Sequence, residues 1–171
     1  VAADASSAVL SDSVQSDLIS AADSNGAIVL RTKTGVITLN DGSATADGNA
    51  VSADGAGNVL LMAGGADNDL VVNADVVSVM GNITLLAQHN AVFAANADVQ
   101  TGGAGTVDIE AVDGAVSFST SSHQTAESGD IRVKAGTNIT LGGLLKTSGS
   151  AALEAVGGWI HDGDTDAGVD V

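Results

Sequence analysis

Apolar and polar residues alternate along most of this chain, in short runs separated by glycine. Alternation with a period of two puts every second side chain on one face, the pattern of a half-buried β-strand. One run recurs as Gly-x-(Ile/Val)-x-(Leu/Ile/Val)-x-Ala. It is carried by Gly57, Val59, Leu61 and Ala63, then by Gly81, Ile83, Leu85 and Ala87. Gly105, Val107, Ile109 and Ala111 repeat it, as do Gly129, Ile131, Val133 and Ala135. Weaker copies lie at Gly149, Ala151, Leu153 and Ala155, and at Gly26, Ile28 and Leu30, where Thr32 replaces the alanine. The glycines at 57, 81, 105 and 129 stand 24 residues apart; the last step is 20 and the first is 31. The longer first step holds a Gly/Ala/Asp-rich stretch, Asp47 to Gly57, which reads as a loop running from Asp41.

A second alternating run follows each copy after a turn: Val36 to Leu39, Ala91 to Phe93, Ala115 to Phe118, Ile139 to Leu141. A third is visible in places, as at Ala97 to Thr101. Helical periodicity does not persist, and glycine every few residues opposes it. A repeat of about 24 residues with two or three short strands has no core of its own. It makes one coil of a stack in which identical positions repeat at about 4.8 Å. The sequence therefore predicts one all-β unit over residues 1–171, a parallel β-solenoid (β-helix) of about six to seven coils of ~24 residues. Ile, Val, Leu and Ala would point inward. The last coil includes Trp159, which reads as core or inter-unit packing rather than as a sugar platform.

The same register sets the outward positions. Asp108 and Arg132 share one place in successive coils, and Glu110, Lys134 and Glu154 share another, giving a ladder of alternating charge. Opposite charges on neighbouring strands contribute about 0.2–1 kcal/mol per pair. Leu60, Met62 and Leu86 hold outward places in the earlier coils, with Val29 in the first. They form either a surface covered by part of residues 1–25 or a lateral patch for another chain. Asn90 and Asn138 share a turn position and are expected to stack.

Composition narrows the function. Five Lys+Arg stand against 21 Asp+Glu, a net charge of −16. Such a chain repels phosphate, which argues against nucleic acid as a partner. Cysteine is absent, which excludes disulfides, thiolate metal sites and thiol catalysis. No apolar run reaches the roughly 18–20 residues of a membrane-spanning helix. Disorder is disfavoured because 44% of the residues are hydrophobic.

The repeats around Gly81 to Ala87 and Gly129 to Leu141 resemble the coils of filamentous-haemagglutinin-like surface proteins and of giant bacterial extracellular adhesins. The resemblance covers roughly residues 26–160. It implies a right-handed parallel β-helix, an extracellular or cell-surface location, and a role in attachment, biofilm or envelope structure. No helix, proline or polar terminal coil closes either end, so Val1 at the start and Val169 and Val171 at the finish are expected to abut a copy of the unit or a neighbouring repeat. The expected function is a structural unit of an extracellular fibre or surface-protein shaft, with copies of itself as partners and contact with a cell surface or matrix. The alternative is an adhesin module that binds a glycan or protein. An enzyme is not expected: there is no evident cluster of carboxylates at a cleft and the chain has no tyrosine.

Calcium is the one cofactor the sequence suggests. Asp162, Asp164, Asp166 and Asp170 alternate through the acidic tail, resembling the start of an EF-hand loop with Ala167 where its glycine belongs. The other reading is a solvated turn. The segment Gly64 to Leu70, with Asp67 and Asp69, resembles a single calcium-binding nonapeptide but lacks the consecutive repeats such sites need. His89, His123 and His161 fall at different offsets and read as turn residues. The Asn-x-Thr triplets at Asn82 and Asn138 read as chance matches within strands.

Overall fold

The structure is a computed structural model that describes residues 17–42 and 47–164. Val1, Asp166, Val169, Asp170 and Val171 lie outside the described residues. Three parallel sheets, each of six strands, run the length of a β-solenoid. The first sheet holds β2 (Ile28–Thr32), β5 (Val59–Ala63), β8 (Ile83–Ala87), β11 (Val107–Ala111), β14 (Ile131–Ala135) and β17 (Ala151–Ala155). The second holds β3 (Ile37–Leu39), β6 (Leu70–Val72), β9 (Ala91–Phe93), β12 (Val116–Phe118), β15 (Ile139–Leu141) and β18 (Ile160–Asp162). The third holds β1 (Leu18–Ile19), β4 (Asn49–Ala53), β7 (Asp75–Ser78), β10 (Val99–Thr101), β13 (Gln124–Ala126) and β16 (Leu145–Lys146). The described residues thus form about five full turns, with β1 before them and β17 and β18 after. Each turn has three strands. The stretch expected as a loop between Asp41 and Gly57 contributes β4, because Val51 and Ala53 alternate inward and extend the third sheet.

The recurring motif is the first sheet. Its strands pair in the register the glycine spacing dictates, Val59 to Ile83, Ile83 to Val107 and Val107 to Ile131. The motif glycine is explained by close approach rather than by φ. A Cβ on Gly57, Gly81, Gly105, Gly129 or Gly149 would stand less than 3 Å from the carbonyl oxygen of the motif glycine one coil back. Side-chain hydroxyls close this corner. Ser78 Oγ accepts the Gly81 N–H and donates to the Gly57 carbonyl, both at 2.8 Å. Thr147 Oγ1 bridges Gly149 and Gly129 in the same way.

Strand starts follow a second rule that the alternation does not reveal. The residue just before a strand is often Asn or Asp, and its side chain accepts the backbone N–H of the same position in the next coil. Asn58 accepts Asn82 N–H at 2.8 Å, Asn82 accepts Thr106 at 3.0 Å and Asp130 accepts Ser150 at 2.8 Å. Asp69 accepts Asn90, and Asn90 accepts Ala115. Asp98 accepts His123. Asn90 and Asn138 do not stack on each other as expected. They are two coils apart with Ala115 between them, and Asn138 accepts the Trp159 N–H. Asn82 and Asn138 stand before their strands rather than in them.

The core is one continuous column of buried Ile, Val, Leu, Ala and Phe. Buried Ser78, Thr101, Ser122 and Gln124 interrupt it, and Gln124 stands where neighbouring coils have Val99 and Leu145. Gln124 is fully buried; its Nε2 donates to Ser122 Oγ at 2.9 Å, while its Oε1 has no partner. A buried acceptor left unsatisfied costs about 1–3 kcal/mol. Gln124→Leu is therefore expected to raise stability by about 1 kcal/mol in urea unfolding, and a loss of stability would show that the amide is held for its hydrogen bond.

Candidate functional site

The outer face of the first sheet is divided. Its later coils carry the charge ladder on β11, β14 and β17. Asp108 faces Arg132, Glu110 faces Lys134 and Lys134 faces Glu154. Arg132 Nε donates to Asp108 Oδ1 at 2.8 Å, and its Nη2 donates to Asp108 Oδ2 at 3.1 Å and to Glu110 Oε2 at 2.7 Å. Those hydrogen bonds, chiefly to Asp108 and then to Glu110, hold the guanidinium charge more firmly than usual. Glu110 therefore turns diagonally to Arg132, although Lys134 stands directly opposite. The planar fork presents fixed N–H groups to both carboxylates, two of them bidentate on Asp108. Lys134 Nζ lies 3.8 Å from Glu154 Oε2. All five side chains are partly exposed, so each pair contributes roughly 1 kcal/mol or less.

The earlier coils of that face are apolar. Leu60, Met62 and Leu86 are half-buried side by side on β5 and β8, and Val29 beside them is exposed. Arg31, Lys33 and Gln88 border an open groove with Met62, Gly64 and Gly65. No carboxylate lines it.

The ends of the solenoid expose side chains that would be core in any inner coil. Ala151 and Ile160 point along the columns of Ile131 and Ile139, yet both are exposed. Trp159 is 67% exposed beside them, so of the two packing roles expected for it, core or contact between units, it does not fill the first. At the other end Leu30, the counterpart of the fully buried Leu61, is exposed. Leu18, the counterpart of the fully buried Val51, is exposed with it, as are Ile19 and Val36 at outward and corner places.

Carboxylates gather at the third sheet. Asp17, Asp41 and Asp47 each place an oxygen within 4.8 Å of the others, close enough to share a cation. Asp41 Oδ1 is buried without a hydrogen-bond partner. Nearby Asp75 has its carboxyl held above the ordinary range. Burial is the main cause; the Asp98 N–H opposes it, and the charges of Asp98, Asp41 and Asp47 add to it. A raised acid binds its proton more tightly folded than unfolded, so its charge lowers stability at neutral pH, and stability returns as pH falls through the raised pKa. Asp75→Asn keeps an oxygen for the Asp98 N–H and removes the charge. It is expected to raise the Tm near pH 7, by an amount that shrinks toward zero below about pH 4. An unchanged Tm at neutral pH would refute this.

The remaining sequence candidates are dispersed. Asp162 Oδ1 accepts the Asp164 N–H at 2.9 Å. Asp69 takes the Asn90 N–H at 2.9 Å and His89 Nδ1 at 2.8 Å. Burial pushes its carboxyl up, but those hydrogen bonds outweigh burial and leave it below the ordinary range. Asp69 is thus occupied by the protein, and Asp67 sits in the turn with φ of 62°. His123 Nδ1 lies 3.2 Å from Asp98, and His161 Nε2 lies 3.0 Å from Thr140 Oγ1. His89 and His123 stand at turns as expected, whereas His161 lies within β18, paired with Thr140. No helix of the described residues is long and apolar enough to cross a membrane. No family model, curated protein or solved structure matches this chain.

Proposed function

We propose that this chain is a structural unit of an extracellular bacterial fibre or surface-protein shaft that grows by stacking coils along one axis. The observation that carries this reading is the open core: Leu30 at one end, and Ala151 and Ile160 at the other, are exposed in positions where inner coils bury them. Edges of that kind template further strands. An unclosed head-to-tail contact makes a filament. Backbone hydrogen bonds directed along the axis would load together under tension, and the net negative charge would keep shafts apart. The resemblance to secreted bacterial β-helix proteins supports the extracellular location.

Negative-stain electron microscopy of the purified chain, with calcium and with a chelator, tests the proposal. Thin unbranched fibres with a diffraction spacing of about 4.8 Å along the axis are expected. Single particles of one size under both conditions would overturn it. Fibres that dissolve only in chelator would add a divalent cation to the contact between units. Surface labelling of intact cells tests the location, and a purely cytosolic signal would refute it.

A further inference from the structure

We propose that the β17–β18 end of one copy receives the β1–β2 end of a second copy in a single register, with Gly26 above Gly149 and Arg31 above Glu154. This rests on the axial-stacking reading and specifies its contact. Each full coil passes through the first, second and third sheets in turn. The coil of β17 and β18 supplies the first two, and its third place is filled by no described strand. At the opposite end β1 is a third-sheet strand whose own coil has no described strand in the other two sheets. The two partial coils make one whole coil. In the joined stack β1 of the incoming copy lies on β16, β2 on β17 and β3 on β18.

Side chains fit this register when the observed columns are extended by one step. The inward column places Leu30 over Leu153 and Ile37 over Ile160, covering the exposed Leu30 and Ile160 and the half-buried Leu153. Val36 and Trp159, 50% and 67% exposed, come together at the corner. The outward column reads Arg31, Met62, Leu86, Glu110, Lys134, Glu154. Extending it from Glu154 to Arg31 continues the alternation of sign. Arg31 has no ion pair among the described residues, and the Glu154 side chain is 62% exposed.

Gly26 is an independent indication. It heads the glycine column, but within its own chain a Cβ there would meet only side-chain atoms, the nearest being Ser24 Oγ at 3.1 Å. Every later glycine in the column is required by a carbonyl oxygen one coil back. Gly26 acquires the same requirement when Gly149 of a second copy lies beneath it.

The chain has no cysteine, so two single-cysteine forms test the register directly. Val29→Cys and Ala152→Cys occupy facing outward positions in the joined stack. Mixed and oxidised, they are expected to give a disulfide-linked dimer. Thr38→Cys mixed with Ala152→Cys lies on a different sheet and is expected to give none. Gly26→Ala is expected to keep the circular dichroism of the native fold and lose assembly. Arg31→Glu is expected to weaken association about fivefold or more, with Glu154→Arg in the same chain restoring it. Fibres that form without the cross-link, and are indifferent to Gly26→Ala and to the charge swap, would overturn the register and leave the shaft intact. A wild-type chain that sediments as a monomer at every concentration would overturn both.

Discussion

Gly129→Ala is expected to cost about 3 kcal/mol or more, or to prevent folding altogether. The added methyl group would overlap the Gly105 carbonyl oxygen, with the Ala104 carbonyl close on the other side. Both neighbours are backbone atoms of the preceding coil, so neither gives way cheaply. The cause is distance and not backbone conformation, and the two have different signatures. Gly103 has φ of 56°, and a Cβ there meets nothing nearer than Met80 Cγ at 3.5 Å. Asparagine tolerates that conformation. Gly103→Asn is therefore expected to cost about 1 kcal/mol or less, whereas Gly129→Asn is as damaging as Gly129→Ala. Urea unfolding of the three variants checks this. A Gly129→Ala protein within about 1 kcal/mol of wild type would show that adjacent coils can separate at the corner.

The contrast explains why one sheet was legible from the sequence and another was not. At the first sheet a glycine forced by backbone contact and an alanine at the next corner mark both ends of every strand from β5 on. The period, the register and the facing of Asp108 with Arg132 all follow. The third sheet has no such marks. Its strands are short, and their inward places include Ser78, Thr101 and Gln124, which break the apolar alternation. Ser78 and Thr101 are tolerated inside because their hydroxyls bind the carbonyls of Gly57 and Gly81. That chemistry depends on a neighbouring coil and is invisible in a single run, so β4 reads as loop. The Asn and Asp side chains before strands carried a signal of their own, since Asn58, Asn82 and Asp130 all follow a motif glycine directly. Their acceptor role becomes evident only when the coils are superimposed. The choice of Glu110 for Arg132 over Lys134 depends on the reach of a forked side chain, which spacing does not encode. Trp159 shows the opposite limit: the register places it in the corner column of Asp69, Asn90, Ala115 and Asn138, which are only half-buried in their own coils, so regular alternation did not make it a core residue.

Phe93→Ala is expected to destabilise the protein by about 3–5 kcal/mol, comparable to the glycine variant but by a different route. Phe93 is fully buried, and its ring packs on Phe118 one coil away with centroids 4.8 Å apart and planes at 35°. These are the two largest fully buried side chains of the core, and room for Phe93 comes from Ala91 and Ala97, both fully buried in its own coil. Removing one ring leaves a cavity and strips the other of a partner, so Phe93→Ala with Phe118→Ala should cost less than the sum of the singles, by about 0.5–1.5 kcal/mol. In a stack where each coil touches only its neighbours, the damage is also local. Hydrogen exchange should quicken first around β9 and β12, while the amides of β5 and β14 keep more of their protection. Uniform loss of protection along the stack would mean that the solenoid unfolds as one cooperative block. A shaft built from such blocks would yield unit by unit under tension, whereas locally weakened coils would yield at the defect.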